Sequence, residues 1–486
     1  MKNKKINKLV KKGVLFLLLV HLISCKQKSP SINIEKPNVI IILTDDQGYQ
    51  DLSCFGSPDI ETPHLDKMAE DGAKLTSFYA AQAVCSASRA AILTGCYPNR
   101  IGMHNALMPD AKIGLNPSET TIAEMLKENG YKTAMFGKWH LGDHPKFMPN
   151  NQGFDDFFGI PYSNDMWPNH PQQGSVFNFK PLSLYENQSI IDTLTNQSLL
   201  TTQITERSVD FIKKNKDNPF LLYVAHPQPH VPLFVSDKFK GKSKRGLYGD
   251  VIMEIDWSVG QILSTLKEMN IDKSTIVIFT SDNGPWLAYG DHSGSALPLR
   301  EGKGTAFEGG QREPTIILFP KVIKAGTVID VPMMNIDILP TIAEITNSKL
   351  PIKDIDGKSI LNILTGKSHE SPHEAYFFYY RVNELHGVRY KNWKMYFPHK
   401  YRTLSGRKGG EKGFPTNYDF VDLKEVELYD LANDIGEIKN VANENPEIVD
   451  TIKSIANKMR EKLGDRLTNI EGTENREPGK VEKKDL

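Results

Sequence analysis

Three short apolar, β-branched runs punctuate the chain, at residues 39–43, 220–224 and 275–279. None alternates polar with apolar, so each predicts a strand buried on both faces. Such strands need helices on either side. Apolar residues at helical spacing supply them over 120–129, where Ile122, Met125 and Leu126 share a face, and over 196–215 and 249–269. Strands alternating with helices predict an α/β domain with a large, mostly parallel sheet. From about Pro372 the pattern shifts to short aromatic strands over 375–381, 385–389 and 393–397, which predicts a small antiparallel sheet. A helix over 446–463 follows, then a charged tail from Asp465 that is expected to be disordered.

Ligands of open α/β sheets gather at the carboxyl ends of the strands. The residues there are Asp45 and Asp46 after the first run, His226 and His230 after the second, and Asp282 and Asn283 after the third. Three carboxylates and one amide oxygen form a hard donor set, suited to Ca²⁺ or Mg²⁺ rather than zinc. Two adjacent acids at a dry strand end also need a cation to offset their repulsion.

The 486 residues are 39% hydrophobic and 9% aromatic with only four cysteines, which excludes a disordered chain, a collagen-like fibre and a disulfide scaffold. The 59 basic and 59 acidic residues cancel, but six of the lysines precede residue 25. Without residues 1–24 the balance is 53 against 59, a net −6. A mildly acidic body has no global field for nucleic acid, so an anionic substrate needs a local pocket. The lysine-rich start, the apolar run 14–20 and Leu22-Ile23-Ser24-Cys25 read as an address rather than as structure. The tetrad resembles the bacterial lipobox. It implies a lipoprotein signal peptide over 1–24, lipidation of Cys25, a tether over 25–37 and an anchor in the bacterial cell envelope, on the outer membrane and facing periplasm or surface. Cys54, Cys85 and Cys96 remain, an odd number, so at least one is free or modified; Cys54 and Cys96 fit either packing positions or one disulfide.

Residues 84–95, Val-Cys-Ser-Ala-Ser-Arg-Ala-Ala-Ile-Leu-Thr-Gly, resemble the signature of the type I sulfatases, in which the cysteine is oxidised to formylglycine. Further segments resemble that family in the same order. They are Gly137-Lys138-Trp139-His140-Leu141-Gly142, the stretch 159–165 with Ser163, His226 to His230, and the stretch 302–310 with Lys303. The resemblance implies an alkaline phosphatase-like sandwich over 38–370, a C-terminal subdomain over 371–465 and a polar tail over 466–486. It implies a sulfuric ester hydrolase in which Cys85, as formylglycine, supplies the nucleophilic oxygen. One Ca²⁺ is then held by Asp45, Asp46, Asp282, Asn283 and the modified Cys85. Arg89 holds this centre in place; Lys138, Ser163, His230 and Lys303 bind the sulfate; His230 with Lys303 protonates the leaving alcohol; and His140 takes the proton that lets sulfate leave by elimination. His226 is expected to serve structure or substrate, His104, His144 and His170 to line loops or the rim, and His292 to reach a sugar.

The implied partner is a sulfated glycan such as ulvan, carrageenan or a glycosaminoglycan. A second is a maturation enzyme that tolerates Ala87 where the signature has proline. The competing readings are a phosphoester hydrolase of the same superfamily and a lipoprotein that only binds glycan.

Overall fold

The computed structural model describes residues 36–482 apart from 173 and 175–177, so the signal segment, Cys25 and most of the tether lie outside the described residues. The first predicted strand is β1 (Asn38–Thr44), with Val39, Ile40, Ile41 and Ile42 all fully buried. The other two are β7 (Phe220–Ala225) and β8 (Thr275–Ser281), buried throughout. Between β1 and β7 in the chain run β2 (Ala73–Tyr79), β3 (Lys132–Lys138), β4 (Asp156–Ile160), β5 (Ser183–Glu186) and β6 (Ser189–Thr193); β9 (Arg312–Leu318) and β10 (Thr327–Ile329) come after β8. They assemble in the order β10-β2-β9-β8-β1-β7-β3-β4-β5-β6, with Met333–Met334 added beside β2.

The five neighbours β8, β1, β7, β3 and β4 are mutually parallel, so their carboxyl ends share one edge. β9 is antiparallel to both β8 and β2, which turns β2 to end at that same edge. The strip that carries the chemistry is thus set by strand direction alone.

Helices cover both faces. Ile40 and Ile42 of β1 and Leu222 and Val224 of β7 pack against Leu65 and Met68 of α1 (Pro63–Asp71), Ile204 and Phe211 of α4 (Leu200–Asn215), and Ile252, Ile255 and Val259 of α5 (Leu247–Glu268). On the opposite side lie α2 (Cys85–Thr94), α3 (Ile122–Glu128) and α6 (Ile338–Thr346). The third helix begins at Ile122, two residues later than its apolar pattern, because Thr121 and Glu124 form a capping box: Glu124 N donates to Thr121 Oγ1 at 3.1 Å and Thr121 N to Glu124 Oε2 at 2.8 Å.

The C-terminal part is an antiparallel sheet of β11 (Tyr376–Tyr380), β12 (Glu384–Tyr390), β13 (Trp393–Tyr396) and β16 (Glu427–Asp430), plus a separate hairpin of β14 (His399–Thr403) and β15 (Asp419–Leu423). Tyr376, Phe378, Tyr396 and Ile452 of α7 (Pro446–Leu463) join Tyr79, Ala91 and Phe307 in a second core that welds this part to the large sheet. The tail corrects the expectation of disorder. Gly479–Lys480 pairs antiparallel with Ile113–Gly114, and Arg476 forks onto the buried carboxylate of Glu119 at 2.9 and 2.7 Å. Arg476 and Asp465 find fixed charged partners in place of solvent. Cys54, Cys85 and Cys96 are all free thiols, so the disulfide alternative is out. No helix among the described residues is long and apolar enough to cross a membrane.

Candidate active site

Asp45 and Asp46 leave β1 at the shared edge; Asp46 takes a left-handed conformation (φ 63°) that turns its carboxylate toward β8. Its oxygens meet Asn283 Nδ2 at 2.7 Å and Lys303 Nζ at 2.6 and 2.8 Å, and its N–H donates to Asp282 Oδ1 at 3.2 Å. Lys138 Nζ donates to Asp45 Oδ2 and, at 3.0 Å, to Ser163 Oγ. Gly137, just before Lys138, has φ 120°, and a Cβ there would stand 1.9 Å from Ala225 O, so the position admits only glycine.

Cys85 is the first residue of α2, and its Sγ lies 3.4 Å from Asp45 Oδ1 and 3.3 Å from Lys303 Nζ. The side chain of the preceding Val84 makes no cap, so the positive end of α2 is left facing the site. Arg89, one turn on, forks onto Asp282 Oδ2 through Nε (3.0 Å) and Nη2 (2.8 Å) and donates from Nη1 to Lys138 O at 2.8 Å. It therefore braces a strand-end acid and the carbonyl of a site lysine at once.

Three carboxylates (Asp45, Asp46, Asp282) and three cations (Arg89, Lys138, Lys303) share this buried space. Burial works against the Asp45 charge, but Lys138, His230, Arg89 and Lys303 outweigh it and hold the group well below the usual carboxylate range. Burial and the nearby Asp45 push Asp282 up to about 7, with Arg89 opposing. Burial likewise drives the Cys85 thiol far above its ordinary value, with Asp45 adding to the effect. An unmodified Cys85 is therefore a neutral thiol, poor as a nucleophile.

The donor set suits a hard divalent cation. Ligand atoms of Asp45, Asp46, Cys85 and His230 lie within 4.8 Å of one another, and Asn283 Oδ1 beside them is buried with no hydrogen-bond partner. An orphaned amide oxygen next to two carboxylates is the chemistry a Ca²⁺-sized ion completes.

The histidines divide by their contacts. His140, also left-handed (φ 63°), donates from Nε2 to Leu107 O at 2.9 Å, which leaves Nδ1 buried without a partner. Burial, then the charges of Lys138 and Arg89, hold it well below the ordinary range, so it is neutral and able to accept a proton. His230 donates from Nδ1 to Val231 O at 2.6 Å and turns Nε2 toward Asp46 Oδ2 at 3.4 Å. His226 is structural: it is fully buried, its Nε2 meets Ser258 Oγ at 3.2 Å, and burial lowers it to about 4. His170 is buried, and burial lowers it from its ordinary range, with Asp165 opposing and His230 adding. His144 Nδ1 accepts from Lys146 N at 3.3 Å, away from the centre, and His292 packs beside the 409–413 loop.

Two contributors, Lys394 and Arg402, escape sequence reading because they arrive from the C-terminal part. Glu308, in the same loop as Lys303, is gripped by Lys394 Nζ at 2.6 Å, Arg312 Nη1 at 3.0 Å and Tyr79 OH at 2.7 Å. Arg402 of β14 donates from Nε to Lys303 O at 3.0 Å and from Nη2 to the same oxygen. Gly304 (φ 80°) permits this, since a Cβ there would stand 2.5 Å from the guanidinium. Arg402→Gln is expected to lower kcat about tenfold, the worth of one charge-assisted contact, while KM changes less. Steady-state kinetics on one sulfate ester checks this; an unchanged kcat would mean that Lys303 keeps its place unaided.

Comparison with known proteins gives a consistent picture. The family model described as sulfatase matches residues 37–348, and that described as the C-terminal region of aryl-sulfatase matches 371–478. The chain is 36% identical to human arylsulfatase A over 446 residues, covering 86% of this chain and 87% of the relative. It is 39% identical to mouse N-acetylgalactosamine-6-sulfatase over 379 residues, covering 74% and 72%. Among solved structures, the PsFucS1 sulfatase from Pseudoalteromonas sp. aligns with TM-score 0.76 at 27% identity, covering 88% of this chain and 91% of that one. Ps i-CgsB in complex with k-i-k-neocarrahexaose aligns with TM-score 0.72 at 28% identity, covering 87% and 92%.

Proposed function

The chain belongs to the sulfatase family and is a sulfuric ester hydrolase, and on that footing we propose that it desulfates a sulfated polysaccharide or oligosaccharide through formylglycine made from Cys85. The observation that carries the reading is the place of Cys85: its Sγ stands where the formylglycine oxygen would, between Asp45 and the ammonium of Lys303. A glycan is supported by the relatives, which include an N-acetylgalactosamine-6-sulfatase and a structure in complex with k-i-k-neocarrahexaose. Ulvan, carrageenan and glycosaminoglycans are the polymers to test. We assign the cation as Ca²⁺, held by Asp45, Asp46, Asp282, Asn283 and the modified residue 85, because the donors are oxygens.

When both groups are in place, the aldehyde hydrate supplies the attacking oxygen and the cation supplies positive charge beside the sulfur. The chain's own residues do the rest. Lys138, Ser163 and Lys303 surround the space next to position 85 and bind the sulfate oxygens as charge develops. Arg89 keeps Asp282 and the Lys138 backbone fixed meanwhile. His230, with Nδ1 tied to Val231 O, presents Nε2 as the donor to the leaving alcohol, with Lys303 beside it. His140 Nδ1, unprotonated and without a hydrogen-bond partner, would receive the proton whose loss regenerates the aldehyde. The leader and Cys25 add the proposal of a lipid-anchored enzyme of the bacterial outer membrane, matured by an enzyme that accepts Ala87.

The experiment compares leaving groups. His230→Ala and Lys303→Ala should each lose about 10²- to 10⁴-fold in kcat on a sulfated sugar, whose alcohol needs a proton. On nitrophenyl sulfate, whose leaving group needs little help, the loss should be smaller by at least about tenfold. Equal losses on both substrates would show that the two residues only bind sulfate.

A further inference from the structure

Two residues past Ser163 stands Asp165, 9% exposed, with Oδ1 fully enclosed and no hydrogen bond to its carboxylate among the described residues. A buried carboxylate without a donor is costly, so a fold that keeps one leaves it for a partner that arrives later. The same segment is built into the sulfate pocket. Ser163 Oγ accepts from Lys138, Asn164 Nδ2 donates to Pro232 O at 3.2 Å and to His230 O at 3.4 Å, and Trp167 N donates to Asp165 O at 2.8 Å.

Chain position places Asp165 relative to the reaction: it directly follows Ser163 and Asn164, whose side chains meet Lys138 Nζ at 3.0 Å and the His230 carbonyl at 3.4 Å. The Tyr289 ring stands edge-on to Trp286 at 5.0 Å, and the half-buried Trp286 ring lies 5.6 Å from the His230 ring and 4.8 Å from Lys303 Nζ. Trp286 thus lies against the two residues assigned to the departing alcohol, and Asp165 belongs to the segment that reaches Lys138 and the His230 carbonyl. An aromatic ring and a lone carboxylate at one centre together suit a sugar, with its apolar ring face and its hydroxyl donors.

We propose that Asp165 accepts a hydrogen bond from a free hydroxyl of the leaving sugar, and so selects glycans whose scissile sulfate is flanked by an unsubstituted hydroxyl. The inference rests on the glycan reading above and narrows it. A second sulfate or a uronate carboxylate at that position would face the Asp165 charge and be rejected by repulsion as well as by the missing donor.

The test compares wild type, Asp165→Asn and Asp165→Ala on three substrates: nitrophenyl sulfate, the monosulfated oligosaccharide that wild type cleaves fastest, and its counterpart sulfated also at the neighbouring hydroxyl. Wild type should prefer the monosulfated substrate by at least about tenfold. Asp165→Asn should lose about 10- to 100-fold in kcat/KM on it, at least tenfold more than on nitrophenyl sulfate, and its preference over the disulfated form should shrink. Parallel losses on all three substrates, in both variants, would make Asp165 a scaffold residue and overturn the inference. So would a wild type that favours the disulfated substrate. Wild-type turnover of nitrophenyl sulfate with none on any glycan would instead defeat the glycan reading itself.

Discussion

Asp46→Ala is expected to be inactive, with kcat down by about 10³-fold or more. The substitution removes a carboxylate from the proposed cation site, and a metal at a reacting centre contributes several kcal/mol of charge stabilisation, each 1.36 kcal/mol being about tenfold in rate. It also strands Lys303, whose ammonium sits on both Asp46 oxygens at 2.6 and 2.8 Å in a buried space. An uncompensated buried cation costs about 3–5 kcal/mol, so a lower melting temperature should accompany the lost activity. Asp46→Asn separates the two effects. Asparagine tolerates the left-handed backbone at position 46 and fills the same volume, so the variant should fold and still fail for want of charge. Calcium titration of both variants, with kcat and melting temperature read together, checks this; full turnover by Asp46→Asn, or wild-type activity that survives calcium removal with zinc bound, would dismiss the assignment.

The second large effect concerns Cys85. Cys85→Ala should fold normally, because the side chain is small and buried, and should lose all measurable turnover. The same inactivity is expected of the unchanged sequence whenever the thiol is not converted. Burial and Asp45 keep that thiol neutral, so it cannot stand in as the nucleophile. On the proposed maturation, conversion should depend on position 87. Proline there would stiffen an extended recognition segment in the unfolded chain, and Ala87 gives that stiffness up. Protein made in a host whose maturation enzyme requires proline should be largely thiol, and protein made beside one that accepts alanine should be active.

How far the sequence alone leads follows from where each residue sits. Asp45, Asp46, Asp282 and Asn283 are legible because they directly follow strands whose unbroken apolar runs place them at the sheet's carboxyl edge. Lys138, His140 and Cys85 are legible through short local motifs. Arg402 is not, since its bond to the Lys303 carbonyl joins residues 99 apart through a hairpin whose pairing no local pattern encodes. The unpartnered state of Asp165 is likewise a property of its surroundings, while its motif shows only the neighbouring Ser163. The tail misleads because its composition suits solvent as well as it suits pairing; the buried Glu119 that captures Arg476 lies 357 residues earlier.

The most direct test of the account is peptide mass spectrometry across residues 84–89 on preparations of graded activity, produced with and without an Ala-tolerant maturation enzyme. Specific activity should rise in proportion to the fraction of Cys85 converted to the aldehyde and extrapolate to zero for the pure thiol. Full activity in protein whose Cys85 is an intact thiol would contradict this.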